Sequence, residues 1–156
     1  MITQTEAEHL MAMPKKRLNN DPHNFPLAGE ALTIPMKSVD DREQFLLDVS
    51  RGSISLKCTY QSRYQKTIVL VRVDLNGPPH TNPTVDEPPL LTLEPHNGET
   101  LAGKHIHLYV EGYMDKWAIP LPEDKFPRSD DIFATLDDFF KYCNVVEPPT
   151  VQRGLF

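Results

Sequence analysis

The sequence predicts an α+β protein: a single antiparallel sheet of about five or six strands, with a C-terminal helix packed on one face. Three observations predict it. Between residues 43 and 121, short segments with a residue period of two follow one another, joined by polar turns, which is the pattern of an antiparallel meander. Those segments put aliphatic side chains on one parity and polar or ionisable ones on the other. Near the C-terminus, residues 129–142 instead show the three-to-four spacing of a buried helical stripe. With 156 residues, the chain is expected to form one domain. An N-terminal helix and loop would cover 1–29, the sheet and C-terminal helix 30–143, and a tail 144–156.

Residues 3–18 read as a helix. Thr3 and Glu6 have capping-box spacing, and His9, Leu10 and Met13 begin an apolar-leaning stripe. Pro14 would kink or end it. Lys15, Lys16 and Arg17 then place positive charge where the helix dipole favours it. Pro22 and Pro26 mark a loop. Residues 32–37 suit a short edge strand, the one place where Pro35 would be tolerated. Residues 43–50 alternate clearly, with Phe45, Leu47 and Val49 on one face and Gln44, Leu46 and Asp48 on the other. Arg51 and Gly52 would turn the chain into a strand at 53–60. There Ile54, Leu56, Cys58 and Tyr60 share a face opposite Lys57. A polar connection at 61–66 leads to the clearest strand, 67–75. Val69, Val71, Val73 and Leu75 face one way; Ile68, Leu70, Arg72 and Asp74 face the other.

Residues 76–102 form a long, proline-rich connection. A loop of this length in a small domain is usually functional or disordered. It joins two strands with ionisable faces, so it is placed to lie over that face and to bring His80 and His96 towards it. The next strand, 103–112, alternates strictly. Ile106, Leu108 and Val110 take one parity, and His105, His107, Tyr109 and Glu111 the other. After a turn at 112–116 comes a short strand at 117–121. Ser129 would cap the last helix, whose stripe is Ile132, Leu136, Phe139, Phe140 and Cys143, with Asp130 and Asp131 suited to its N-terminal end. Leu155 and Phe156 could dock back on the body.

The polar face would therefore collect Lys57, Arg72, Asp74, His105, His107, Tyr109 and Glu111. Acid–base cleavage of a phosphodiester needs a base for the 2′-hydroxyl, an acid for the leaving oxygen, and cations for the developing charge. Histidines supply the first two near neutral pH. On this reading His105 and His107 are acid and base, and Glu111 and Tyr109 orient or tune them. Arg72, Lys57, Lys116 and His80 hold the substrate. No cofactor is expected. A second reading is metallic: His105, His107 and Glu111 spell HxHxxxE, similar to the core of the first cupin motif, with Asp74 or His80 completing the shell. Against it, Glu99 stands where a cupin has glycine, and no histidine follows Glu111. A third reading leaves the face as solvated surface, where either histidine could be truncated at a cost within roughly 1 kcal/mol.

The formal net charge of -6 argues against a protein held on nucleic acid by bulk positive charge. It suits an acidic binding protein, such as an antitoxin or an inhibitor of a defence system. RNA and a cognate protein are the partners these readings name. Cys58 and Cys143 form no CxxC pair and read as small buried residues. No apolar run approaches the ~18 residues of a membrane span, and residues 1–17 lack the order of a secretory signal. A cytoplasmic protein without a membrane partner is expected.

Several segments together carry a resemblance. They are residues 48–52 (DVSRG), 70–74 (LVRVD), 77–83 (GPPHTNP), 105–113 (HIHLYVEGY) with Lys116-Trp117-Ala118, and 138–144 (DFFKYCN) with 154–156 (GLF). This set, spread over 38–156, resembles a family of small bacterial proteins of unknown function. The resemblance implies a bacterial or mobile-element origin; the toxin or defence setting belongs to the ribonuclease reading of the polar face. The resemblance itself implies no activity.

Overall fold

The computed structural model describes residues 1–53 and 56–154. The expected facing of Ile54 and the docking of Leu155 and Phe156 fall outside these. The chain runs α1 (Gln4–Ala12), β1 (Lys15–Arg17), β2 (His23–Asn24), β3 (Ala31–Ser38), β4 (Gln44–Arg51), β5 (Cys58–Tyr64) and β6 (Ile68–Leu75). Then come β7 (His80–Thr81), a 3-10 turn at Leu91–His96, β8 (Thr100–Leu101), β9 (His105–Val110), β10 (Met114–Pro120), α2 (Ile132–Tyr142), β11 (Val145–Glu147) and β12 (Val151–Gln152).

The α+β class holds, but the sheet is larger than expected and not purely antiparallel. It has eight strands in the order β10-β9-β6-β5-β4-β3-β1-β11. Six of them, β3 to β6 with β9 and β10, are the expected meander, each antiparallel to its neighbour. The two additions come from the chain ends: β1 pairs antiparallel with β3, and β11 pairs parallel with β1. The N-terminal segment is thus not only helix and loop. The outer strand β1 reaches only residues 36–38 of β3. Pro35 therefore stands where β3 has no outer neighbour, which is why it is tolerated.

Lys15 explains how β1 is held. It is 1% exposed, and its ammonium donates to the carbonyls of Met11 (3.1 Å), Met13 (2.9 Å) and Cys143 (2.8 Å). Burial lowers its pKa to about 8. The end of α1 and the cap residue of α2 leave carbonyls without helical partners, and one buried cation satisfies both. The ammonium also lies 4.9 Å from the centre of the Phe45 ring. The expectation of favourable charge at the end of α1 is met, by a residue inside the protein.

Several boundaries differ from expectation. β5 begins at Cys58 and not at residue 53, so Leu56 is an exposed residue with left-handed backbone (φ 69) and not part of a buried strand face, and β10 begins at Met114 and not at Trp117. α1 ends at Ala12, two residues before Pro14, with Thr3 accepting from the Glu6 amide as its cap. The polar residues Gln61 and Arg63 are not a connection but the solvent-parity side of β5, where they bind Asp48 across the sheet. The turn that follows is only residues 65–67, with Gln65 and Lys66 both left-handed (φ 51 and 74). α2 is capped by Asp131, which accepts from the amides of Phe133 and Ala134, and not by Ser129.

One face of the sheet carries the main core. Ile34, Leu47, Tyr60, Val71, Val73 and Ile106 pack there with Ala7 and Leu10 of α1 and Leu136 and Phe139 of α2. The expected stripe of α2 is buried throughout, and Cys58 and Cys143 are buried free thiols. None of the described helices is long and apolar enough to cross a membrane.

Replacing Lys15 with methionine keeps the bulk and strands three carbonyls. Chemical denaturation should show a loss of about 3 kcal/mol, the cost of leaving buried acceptors unpaired.

Candidate functional site

The site forms on the other face, where strand register places its residues. Asp74 of β6 stands opposite His105 of β9, and Arg72 stands opposite His107. On the other side of β6, Thr59 faces Asp74 and Gln61 faces Arg72. Paired positions share a face, so two residues of each strand suffice to bring two imidazoles, a carboxylate and a guanidinium together.

The carboxylate is the centre. Its Oδ2 lies 3.2 Å from His105 Nε2, 3.1 Å from His107 Nε2 and 3.4 Å from Arg72 Nε. Its Oδ1 accepts from the Thr59 hydroxyl at 3.0 Å. Burial would raise the pKa of Asp74, but the His107 hydrogen bond, the Arg72 charge and the Thr59 bond outweigh it and hold the group at about 2. Arg72 is anchored on its far side by Asp115, at 2.9 Å, and its Nη2 lies 3.1 Å from His107 Nε2.

Main-chain carbonyls orient both rings. His105 Nδ1 lies 2.8 Å from the Gly103 carbonyl, and His107 Nδ1 lies 2.9 Å from that of Asp115. A carbonyl only accepts, so each Nδ1 carries a hydrogen. Both nitrogens of both rings are engaged.

The 76–102 connection covers this layer. It is folded, with the β7–β8 pair and the 3-10 turn, whose Leu93 packs with Val110 and Trp117. Asn82 clips it to the sheet edge, accepting from the Ala118 amide and donating to the Ala118 carbonyl, both at 2.8 Å. The clip delivers His80. Its ring centre is 4.5 Å from that of His107 and 5.9 Å from that of His105. His80 Nε2 lies 2.8 Å from the Lys116 carbonyl and 3.1 Å from Asn82 Oδ1. Both are acceptors here, so Nε2 carries the hydrogen. Nδ1 has no hydrogen-bond partner among the described residues. Burial and the neighbouring imidazoles lower the His80 pKa, so the ring is neutral at physiological pH.

The result is a cleft of about 410 Å³ lined by Lys57, Arg72, Asp74, His80, His105 and His107, among others. Lys57 stands at its rim. The methylene stem lies against Gly52, where a Cβ would come within 2.7 Å of it, and passes Gly77.

Four residues expected at or near the site lie elsewhere. Tyr109 packs into the main core, and its hydroxyl donates to the Ile2 carbonyl. Glu111 lies beyond the end of β9 and accepts from the Gln4 amide. A register shift between Met114 and Trp117, opposite the end of β9, accompanies the loss of alternation. Lys116 offers the site its carbonyl, not its ammonium. His96 is bound to Glu99. The two central histidines are not solvated side chains: His105 is 2% exposed and His107 1%. Sequence reasoning missed Thr59, Asn82 and Asp115. Asn82 and Asp115 act largely on or through the main chain, so only the Asn-Pro turn signal at 82–83 could have drawn attention to the first.

The model of a protein family described as a family of unknown function (DUF6978) matches residues 2–145. No curated protein and no solved structure matches the chain.

Because its ring is buried and bonded at both ends, His107→Ala should cost about 2–4 kcal/mol, through lost packing and unpaired polar groups. A denaturant melt checks this against the loss within roughly 1 kcal/mol that a solvated side chain would show.

Proposed function

The chain belongs to DUF6978, a family of unknown function, and from that premise we propose that the cleft is a hydrolytic site for phosphodiesters, acting on RNA in a toxin or defence setting in the cytoplasm. One observation carries the reading: His80, the imidazole with a nitrogen free of partners among the described residues, lines a cleft whose walls also hold Arg72 and Lys57. A neutral imidazole accepts a proton, and the two cations suit a phosphate.

The roles differ from those read along the sequence. His105 and His107 have no uncommitted nitrogen, so neither is free to act as acid or base towards a substrate. His80 is the base. As the 2′-oxygen attacks phosphorus, its proton passes to His80 Nδ1. The bond from phosphorus to the 5′-oxygen breaks, and that oxygen takes a proton from water. The proton held by His80 returns to the hydroxide so formed. Lys57 and Arg72 hold the non-bridging oxygens while charge builds on them.

The net charge of -6 favours a second reading, a non-catalytic acidic protein that binds a cognate partner. Cleavage of a labelled single-stranded RNA separates the two. The wild type should cut it, and His80→Ala should cut on the order of 10²–10⁴-fold more slowly, with Lys57→Ala acting mainly on KM. If the wild type leaves RNA intact while binding a partner protein, the catalytic reading is lost.

A further inference from the structure

We propose that Asp74, His105 and His107 bind a divalent transition metal of the zinc class. The ion would be the cofactor of the hydrolytic site proposed above, and only its chemical use rests on that reading; the binding site rests on geometry.

The first observation is a meeting of ligand atoms. With hydrogen on Nδ1 of each ring, Nε2 is in both His105 and His107 the nitrogen left to ligate a metal. Both nitrogens face Asp74 Oδ2, at 3.2 and 3.1 Å, and the ligand atoms all lie within 4.8 Å of one another. Zinc bonds of ~2.0–2.2 Å place neighbouring ligands of a tetrahedron roughly 3.3–3.5 Å apart, close to the two separations from Asp74 Oδ2. Histidines that bind metal through one nitrogen ordinarily donate from the other to a carbonyl or carboxylate, and both rings do so here.

The second observation is the surroundings of His107 Nε2, which lies 3.1 Å from a donor, Arg72 Nη2, and 3.1 Å from an acceptor, Asp74 Oδ2. Nε2 is thus asked to donate and to accept at once. A metal removes the conflict: it takes the lone pair of each Nε2 and displaces the guanidinium, which keeps Asp115 as its anchor at 2.9 Å.

The third is charge. Lys57 and Arg72 are the cations of the cleft, and Arg72 is already paired with Asp74 and Asp115; a divalent ion would add positive charge to that of Lys57 beside a bound phosphate. Two nitrogens and one oxygen from the protein leave a coordination position for water or substrate, as catalytic zinc sites do. Glu111, the acid of the HxHxxxE pattern, is bound to the Gln4 amide and has no part in the site.

The test titrates metal-stripped full-length protein with zinc by calorimetry and follows its melting temperature. One ion per chain and a raised melting temperature are expected. Asp74→Asn, His105→Ala and His107→Ala should each abolish binding, while His9→Ala, His23→Ala and His96→Ala leave it intact. Because the buried substitutions could also unfold the chain, X-ray absorption on the zinc-loaded wild type gives a second measurement. It should show two imidazoles and otherwise oxygen ligands. A wild type that takes up no zinc, zinc with a sulfur ligand, or binding that survives all three substitutions overturns the proposal. Zinc bound as expected without RNA cleavage would leave the metal site standing and remove the hydrolase.

Discussion

The carboxylate of Asp74 is the group on which the polar side of this sheet depends. A carboxylate taken out of water must be repaid by donors and positive charge. Four neighbours surround it: Thr59 on one strand, Arg72 on its own, and His105 and His107 on the next. Those neighbours recruit others in turn. Arg72 is oriented by Asp115, and the two rings by the carbonyls of Gly103 and Asp115. The arrangement is a buried polar layer between sheet and loop, and strand register brings Thr59, Arg72, Asp74, His105 and His107 together in it. Breaking one strains several, because the remaining groups are left in a medium that does not solvate them.

A second network on the same face shows what an arrangement of this kind looks like when it is only structural. Asp48 is bound by Thr33, Gln61 and a two-pronged Arg63. Every contact there joins a donor to an acceptor, and the Arg63 charge holds the Asp48 carboxyl below its usual range against the opposing effect of burial. Around Asp74 the matching fails at one atom: His107 Nε2 faces a carboxylate and a guanidinium together. Two networks built on one sheet thus differ in the property that distinguishes a site from a strut. One is satisfied by its own side chains, and the other has room for a cation from outside.

Much of this was legible in the alternation of residues. Period two placed Arg72, Asp74, His105 and His107 on one face, and Phe45, Leu47, Val49, Val71 and Val73 on the other, as the register shows. Alternation predicts facing only while the ladder is regular, so it failed at Tyr109, opposite the register shift in β10, and at Glu111, beyond the end of β9. It could not reveal β1 or β11 either, since three residues contain too little of a period to read. Lys15-Lys16-Arg17 looks like a charged surface until two helix ends supply carbonyls to Lys15. The turn at Gln65 and Lys66 was hidden for a related reason. Left-handed pairs usually announce themselves with Asn or Gly, and here neighbouring strands impose that backbone on ordinary side chains. Burial of the histidines was invisible because it comes from a loop folded over them.

That loop is where architecture becomes chemistry. A long connection without hydrogen-bonding partners would leave the cleft open to water. Asn82 prevents this by pairing with both main-chain groups of Ala118, as a further strand would. The pairing also sets the position of His80, two residues earlier. Its ring is held against Lys116 and Asn82 from one nitrogen while the other stays free among the described residues. The three imidazoles therefore separate into two kinds despite their proximity. Those on β9 are fixed by main-chain carbonyls and turned towards a carboxylate, which suits ligation. The one on the loop is attached at a single nitrogen and lies at the cleft, which suits proton transfer. The division follows from the elements that carry them: a strand in register offers fixed distances, and a clipped loop offers a ring that can answer a substrate.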